Sequence, residues 1–174
     1  DWSSDVCSSD LGVIATVWVS AYYFRRSIQR SLTPYIQYAS SPFKGIDEDV
    51  KKSLKITYRD IPIDDLFEIQ FLIANTGDKA IRDLIEPLAL TFPDDCDLLD
   101  ASLLHTSPQE LKVTLEVSED RHSFKSNFPL LNSGDFFVVK VLLNGEADTK
   151  NLKFSVLVDE LPRLIQPIFP NPGE

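Results

Sequence analysis

The sequence predicts an all-β fold, an antiparallel sandwich, on three observations. Apolar and polar residues alternate in nine short runs, turn residues punctuate those runs about every ten residues, and no helical run is long enough for a parallel crossover. Period-two alternation puts one face of each strand into a core, and turns at that spacing return the chain antiparallel to itself.

Thr33 to Ser40 (TPYIQYAS) is the first expected strand. An acidic stretch from Gly45 to Lys52, with helical charge spacing, links it to Ser53 to Arg59 (SLKITYR). Leu66 to Asn75 (LFEIQFLIAN) is the longest run, and it ends in Asn75-Thr76-Gly77-Asp78. That tetrad is a strong turn, because Asn and Gly accept backbone conformations that other residues resist. Pro87 to Phe92, Leu98 to Thr106, Leu111 to Ser118 and Arg121 to Pro129 follow. Leu131-Asn132-Ser133-Gly134-Asp135 then resets the chain before Phe136 to Leu143 (FFVVKVLL), and Leu152 to Val158 completes the set. The expected core is Ile69, Phe71, Ile73, Leu88, Leu90, Val113, Leu115, Val138, Val139, Val141, Phe154 and Val156. Adjacent Val138 and Val139 cannot both face inward on a regular strand, so one is expected to be exposed or bulged. Outward positions are expected to be mainly polar.

The two ends of the chain read differently. Asp1 to Leu11 (DWSSDVCSSDL) resembles the in-frame translation of a sequencing adapter, so residues 1–11 are set aside and nothing functional is read from Trp2 or Cys7. Residues 12–30 carry an apolar run to Phe24 followed by Arg25, Arg26 and Arg30. A spanning helix needs about 20 apolar residues, so the run is expected to be a transmembrane helix cut short at its start. Trp18, Tyr22 and Tyr23 suit its interface and the arginines suit a stop-transfer flank. A signal-peptide core and a buried helix are the alternatives. Basic residues immediately after the run place the globular part on the cytoplasmic side. Residues 31–160 form the expected sandwich, and 161–174 a proline-rich extended tail, because proline at that density blocks both helix and central-strand pairing; docking on the sandwich or on a partner through Leu164, Ile165, Ile168 and Phe169 is the alternative.

Charge and cysteine content exclude several classes. Net charge is −10, and −7 once the acids of residues 1–11 are set aside, with no Lys/Arg cluster to neutralise phosphates. Nucleic-acid binding is therefore not expected. Cys96 alone cannot make an internal disulfide, so the domain must stand on its hydrophobic core, which about 150 residues suffice to form. The six glycines include no phosphate-binding loop.

Candidate chemistry is sparse. His105 and His122 lack the partners at helical spacing, the cysteine pairs and the Gly-x-Ser-x-Gly setting that metal binding or nucleophilic catalysis requires. Cys96 sits in Pro93-Asp94-Asp95-Cys96-Asp97, where neighbouring carboxylates should raise its pKa and oppose reactivity. Asp94, Asp95, Asp97 and Asp100 have the density of a calcium loop without its glycine and terminal Glu, so a solvated turn is expected. Gly45 to Asp49, and Asp60, Asp64 and Asp65, read as linker and hairpin-tip charge. The rings of Phe67, Phe71, Phe92, Phe124, Phe128, Phe136, Phe137 and Phe154 fall on strands at core-like positions rather than along a sugar-binding groove. No catalytic, cofactor or metal residue is expected, and the chain is not expected to be an enzyme.

A hydrophobic strand, an Asn-x-Gly turn at Asn75–Gly77, a later Pro-Leu-Leu-Asn-x-Gly-Asp at Pro129–Asp135 and a further hydrophobic strand together resemble immunoglobulin-like modules of bacterial surface and membrane proteins. The pattern is also similar to uncharacterised bacterial single-pass proteins whose membrane helix precedes such a module. The resemblance covers about residues 53–160 and implies fold and tethering, with no functional residue carried over. The expected function is a non-enzymatic, membrane-tethered interaction or structural module with a protein partner. The alternative is a sensory or transport-accessory domain that binds a ligand or ion.

Overall fold

The computed structural model describes residues 29–53, 56–63 and 65–169. The expectations for residues 1–11, for the membrane run up to residue 28, for Asp64 and for the end of the tail lie outside the described residues. Among the described residues no helix is long and apolar enough to cross a membrane.

Thirteen strands and one short helix follow one another in the described chain. They are β1 (Leu32–Ser40), α1 (Glu48–Ser53), β2 (Ile56–Tyr58), β3 (Ile61–Ile63), β4 (Leu66–Asn75), β5 (Ile81–Arg82) and β6 (Glu86–Thr91). After them come β7 (Asp97–Ser107), β8 (Thr114–Val117), β9 (Ser123–Asn127), β10 (Leu130–Leu131), β11 (Phe136–Asn144), β12 (Phe154–Leu157) and β13 (Leu164–Ile165). A four-stranded sheet in the order β1-β4-β11-β7 and a five-stranded sheet in the order β13-β12-β6-β9-β8 hold one core between them. Every strand pairing is antiparallel. The expected all-β antiparallel architecture is the observed one.

Alternation explains which face each central strand buries. In β4 every second residue is buried, with Phe67, Ile69, Phe71, Ile73 and Asn75 pointing inward. Phe137, Val139, Val141 and Leu143 do the same on β11, while Leu88 and Leu90 with Phe154 and Val156 answer from the facing sheet. Two expected core residues, Val113 and Leu115, are only half-buried and pack against the core from outside it. Leu115 lies on β8, the edge strand of its sheet, and Val113 just before it.

The paired valines resolve through a register shift. Val138 pairs with His105 and Val139 with Leu103, so the extra residue is Leu104 on β7 and β11 itself runs regularly. Val139 faces the core at 0% exposure and Val138 points out yet is only 8% exposed. Neither valine is exposed. A second shift on β7 and one on β1 leave both edge strands of this sheet irregular, a common way to blunt an open edge.

Three expectations need correction. The strand expected at Ser53 to Arg59 shrinks to β2, since α1 runs to Ser53 and the chain turns back at Arg59 and Asp60 to pair with β3. Both turn residues have positive φ, 49° and 67°, the twist a two-residue hairpin demands. The tail is extended as expected but belongs to the two-sheet body: β13 pairs with β12, Pro167 is buried, and Ile168 forms a parallel bridge with Tyr35. Ile168 N–H donates to the Pro34 carbonyl at 3.0 Å and its carbonyl accepts from Ile36 N at 2.8 Å. The segment thus straps the edge of one sheet to the edge of the other. Finally, the outer face of the four-stranded sheet is not mainly polar on its two central strands, where Leu66, Leu72, Ala74, Phe136, Val138 and Leu142 point away from the core beside Glu68, Gln70, Lys140 and Asn144.

Candidate functional site

The antiparallel order gives the body two ends. At one end lie the start of β1, the turn after β4, the turn before β11 and the turn after β12. At the other lie the loops around Asp60, Cys96, Asp120 and Glu146. The sequence-flagged polar residues collect mostly at this second end.

Cys96 is 1% exposed, and its Sγ lies 3.5 Å from the Glu146 carbonyl and 3.6 Å from Asp95 Oδ1. Burial, then the charge of Asp95, its hydrogen bond and the charge of Asp97, push the thiol up to about 11. The expected direction is right, but burial is the largest single cause. The unfolded thiol ionises near 9.0 and the folded one only near 11, so folding loses support as pH rises above 9.0. The native chain should therefore leave Cys96 unmodified by a thiol reagent at pH 8, with full reaction in denaturant. Rapid native labelling at Cys96 would show that the pocket around it opens.

His122 sits in the β8–β9 turn, half-buried, with Nδ1 3.2 Å from the Cys96 carbonyl. Its backbone N–H donates to Asp120 Oδ1 at 3.0 Å. The Ser118 hydroxyl and then that N–H hold the Asp120 carboxyl below its ordinary value. His105 lies elsewhere, exposed on the outer face of β7 with its ring 5.8 Å from that of Phe136. The two histidines are not brought together. Asp94, Asp95 and Asp97 are exposed, Asp100 pairs with Arg59 at 3.7 Å, and Asp65 accepts from the Ser41 hydroxyl at 3.0 Å. Among the described residues no group of three or more His, Cys, Asp or Glu could hold a metal. A depression of about 550 Å³ near Lys44, Phe67, Asp148 and Phe169, and one of about 450 Å³ near Tyr58, Arg59 and Arg121, are open to solvent.

The most elaborate polar construction is at the first end, where Gln29 to Ser31 lead into β1. The Thr76 amide donates to the Ser31 carbonyl at 2.9 Å and the Asp78 amide to the Gln29 carbonyl at 3.0 Å. The Thr76 hydroxyl lies 2.9 Å from the Ser31 hydroxyl and 2.7 Å from that of Thr33. Gly77 is required by close approach: a Cβ there would stand 2.3 Å from the Gln29 carbonyl oxygen and 2.5 Å from the Ser31 nitrogen. Backbone occupies the place of its side chain.

Asn75, 1% exposed, organises this junction. Its Nδ2 donates to the carbonyls of Lys79 at 2.8 Å and Leu131 at 2.9 Å, and its Oδ1 accepts from the Gly77 amide at 3.0 Å. Its backbone exchanges bonds with the turn before β11, receiving from Gly134 N at 2.9 Å and donating to the Asp135 carbonyl at 3.0 Å. The Ser133 hydroxyl donates to the Gly77 carbonyl at 2.6 Å. The two turns flagged in the sequence are thus one structure. Arg30, 18% exposed, donates from Nη1 to the Asp159 carbonyl at 3.0 Å and lies 4.0 Å from Glu160, which Lys79 meets at 3.1 Å. Sequence reasoning flagged Arg30 only as flanking charge; its role in the fold carries no local signature. Neither protein-family models nor curated proteins match this chain.

Proposed function

We infer that the chain is a non-enzymatic, immunoglobulin-like module tethered to a membrane through the segment before Gln29, serving as an interaction or structural element. The observation that carries this reading is the junction. A chain that leads directly from an apolar run and its basic flank is fixed to the body by backbone bonds at Thr76 and Asp78, closed by Gly77 and braced by Arg30. Such a root would pass position and force from the lead-in segment into β1 and β4. A free terminus would need no such fastening, because unanchored termini ordinarily fray.

Strand order supports the immunoglobulin-like part. The order β1-β4-β11-β7 against β13-β12-β6 follows the ABED and GFC arrangement of a seven-stranded immunoglobulin domain, with the β8–β9 hairpin added beside β6. Arg30 is engaged by the fold, so the basic flank on which a cytoplasmic orientation rests is Arg25 and Arg26.

The test is partitioning. The complete gene product should sediment with membranes and resist extraction by high salt and alkaline carbonate, while residues 29–169 alone should be soluble and folded. A complete product found in the soluble fraction would overturn the tether, and an insoluble 29–169 fragment would overturn the self-sufficient module.

A further inference from the structure

We propose that the outer face of the four-stranded sheet pairs with the same face of a second copy of this chain, about a two-fold axis that runs parallel to the strands. Cross-strand register sets the face out in rows. Tyr35, Leu72, Val138 and His105 form one row across β1, β4, β11 and β7, and Ala74 and Phe136 stand next to Leu72 and Val138 in the row nearer the junction. Tyr38, Gln70, Lys140 and Ser102 make the row on the other side, with Glu68 beyond Gln70. Gln70 Nε2 donates to Glu68 Oε1 at 2.7 Å, which holds that polar pair together on β4.

Charge and size choose the axis. A two-fold axis along the seam between β4 and β11 sets each β4 against the other copy's β11. Leu72 then meets Val138, Ala74 meets Phe136, Tyr35 meets His105, and Lys140 meets Gln70 with Glu68 beside it. Small opposes large and the lone cation of these rows finds a carboxylate. An axis across the strands would instead oppose each central strand to its own copy, so that Lys140 faces only residues of the other β11, none of which is acidic. The seam axis also points both junctions the same way, as two chains rooted in one membrane need; this alignment alone rests on the tethered reading.

The area is small. Four strands spaced about 4.8 Å and nine residues rising about 3.3 Å each give roughly 570 Å² per copy. The total, roughly 1,100 Å², is at the low end of specific interfaces, so association in solution should be weak and confinement to a membrane would raise it.

Sedimentation equilibrium on the full chain, with Cys7→Ser, should give a dissociation constant between about 10 µM and 1 mM. Lys140→Glu should weaken it at least about tenfold, and adding Glu68→Lys should restore it, with melting temperature as the check that each variant folds. Co-expressed chains carrying Tyr35→Cys and His105→Cys under different tags should cross-link to each other through a short bismaleimide. A chain that stays monomeric at about 1 mM, a neutral Lys140→Glu, or like-with-like cross-links in place of the mixed product would overturn the proposal. Association through this face by a gene product that does not partition with membranes would sink the tether and leave the face standing.

Discussion

Replacing Phe154 by Ala should cost about 4 kcal/mol of folding stability, the largest loss expected from a single truncation in this core. Phe154 is fully buried on β12, and its ring stands edge-on to Phe71 of the opposite sheet at 5.2 Å and 89°. A second edge contact reaches Phe124 of its own sheet at 6.3 Å and 81°. The ring therefore couples the two sheets, and each such pair adds about 0.5 to 1.5 kcal/mol beyond the area it buries. Domains of this size are stable by about 5 to 15 kcal/mol, so the variant should melt roughly 12 °C lower. Val113→Ala is the control, because Val113 is half-buried outside the core and should lose about 1 kcal/mol. Urea denaturation of both variants decides the matter: if Phe154→Ala loses no more than Val113→Ala, the two sheets are not joined through this ring.

The long central strands were legible because alternation is a local property. The Leu66 to Asn75 expectation coincides with β4, and Phe136 to Leu143 falls one residue short of β11. β3, β5, β10 and β13, two or three residues each, were not legible, since distant hydrogen-bonding partners define them and two residues carry no period. The docking of the tail was only the second reading for a related reason: proline density predicts what the backbone cannot form, and Ile168 finds β1 only through tertiary structure. The outer apolar face was present in the string, because Phe136-Phe137-Val138-Val139 is hydrophobic in both phases of the strand. A rule of polar-outward alternation hid it. At the junction, the turn residues announced themselves, whereas the closeness of Gly77 to Gln29 and Ser31 depends on where β1 returns in space.

That closeness makes Asn75 the polar residue whose loss should matter most. Asn75→Ala removes three side-chain bonds and leaves the buried Leu131 carbonyl, the part-buried Lys79 carbonyl and the Gly77 amide without their partner, at about 1 kcal/mol each. The expected loss is about 3 kcal/mol. Because the same turn receives the lead-in chain, hydrogen exchange at Thr76 and Asp78 should accelerate more than exchange in the centre of β11. Asn75→Asp separates charge from shape. It keeps the acceptor for Gly77 N but turns the two donated bonds into a carboxylate facing the Lys79 and Leu131 carbonyls. A buried carboxylate with the Gly77 amide as its donor and two carbonyls facing it ionises less readily than in the unfolded chain, so its penalty is full well above pH 4 and shrinks as pH falls towards that value. At pH 7, Asn75→Asp should be less stable than Asn75→Ala, and the gap should narrow towards pH 4 in paired urea titrations. A gap independent of pH would mean that the carboxylate reaches solvent and that the junction is looser than its hydrogen bonds describe.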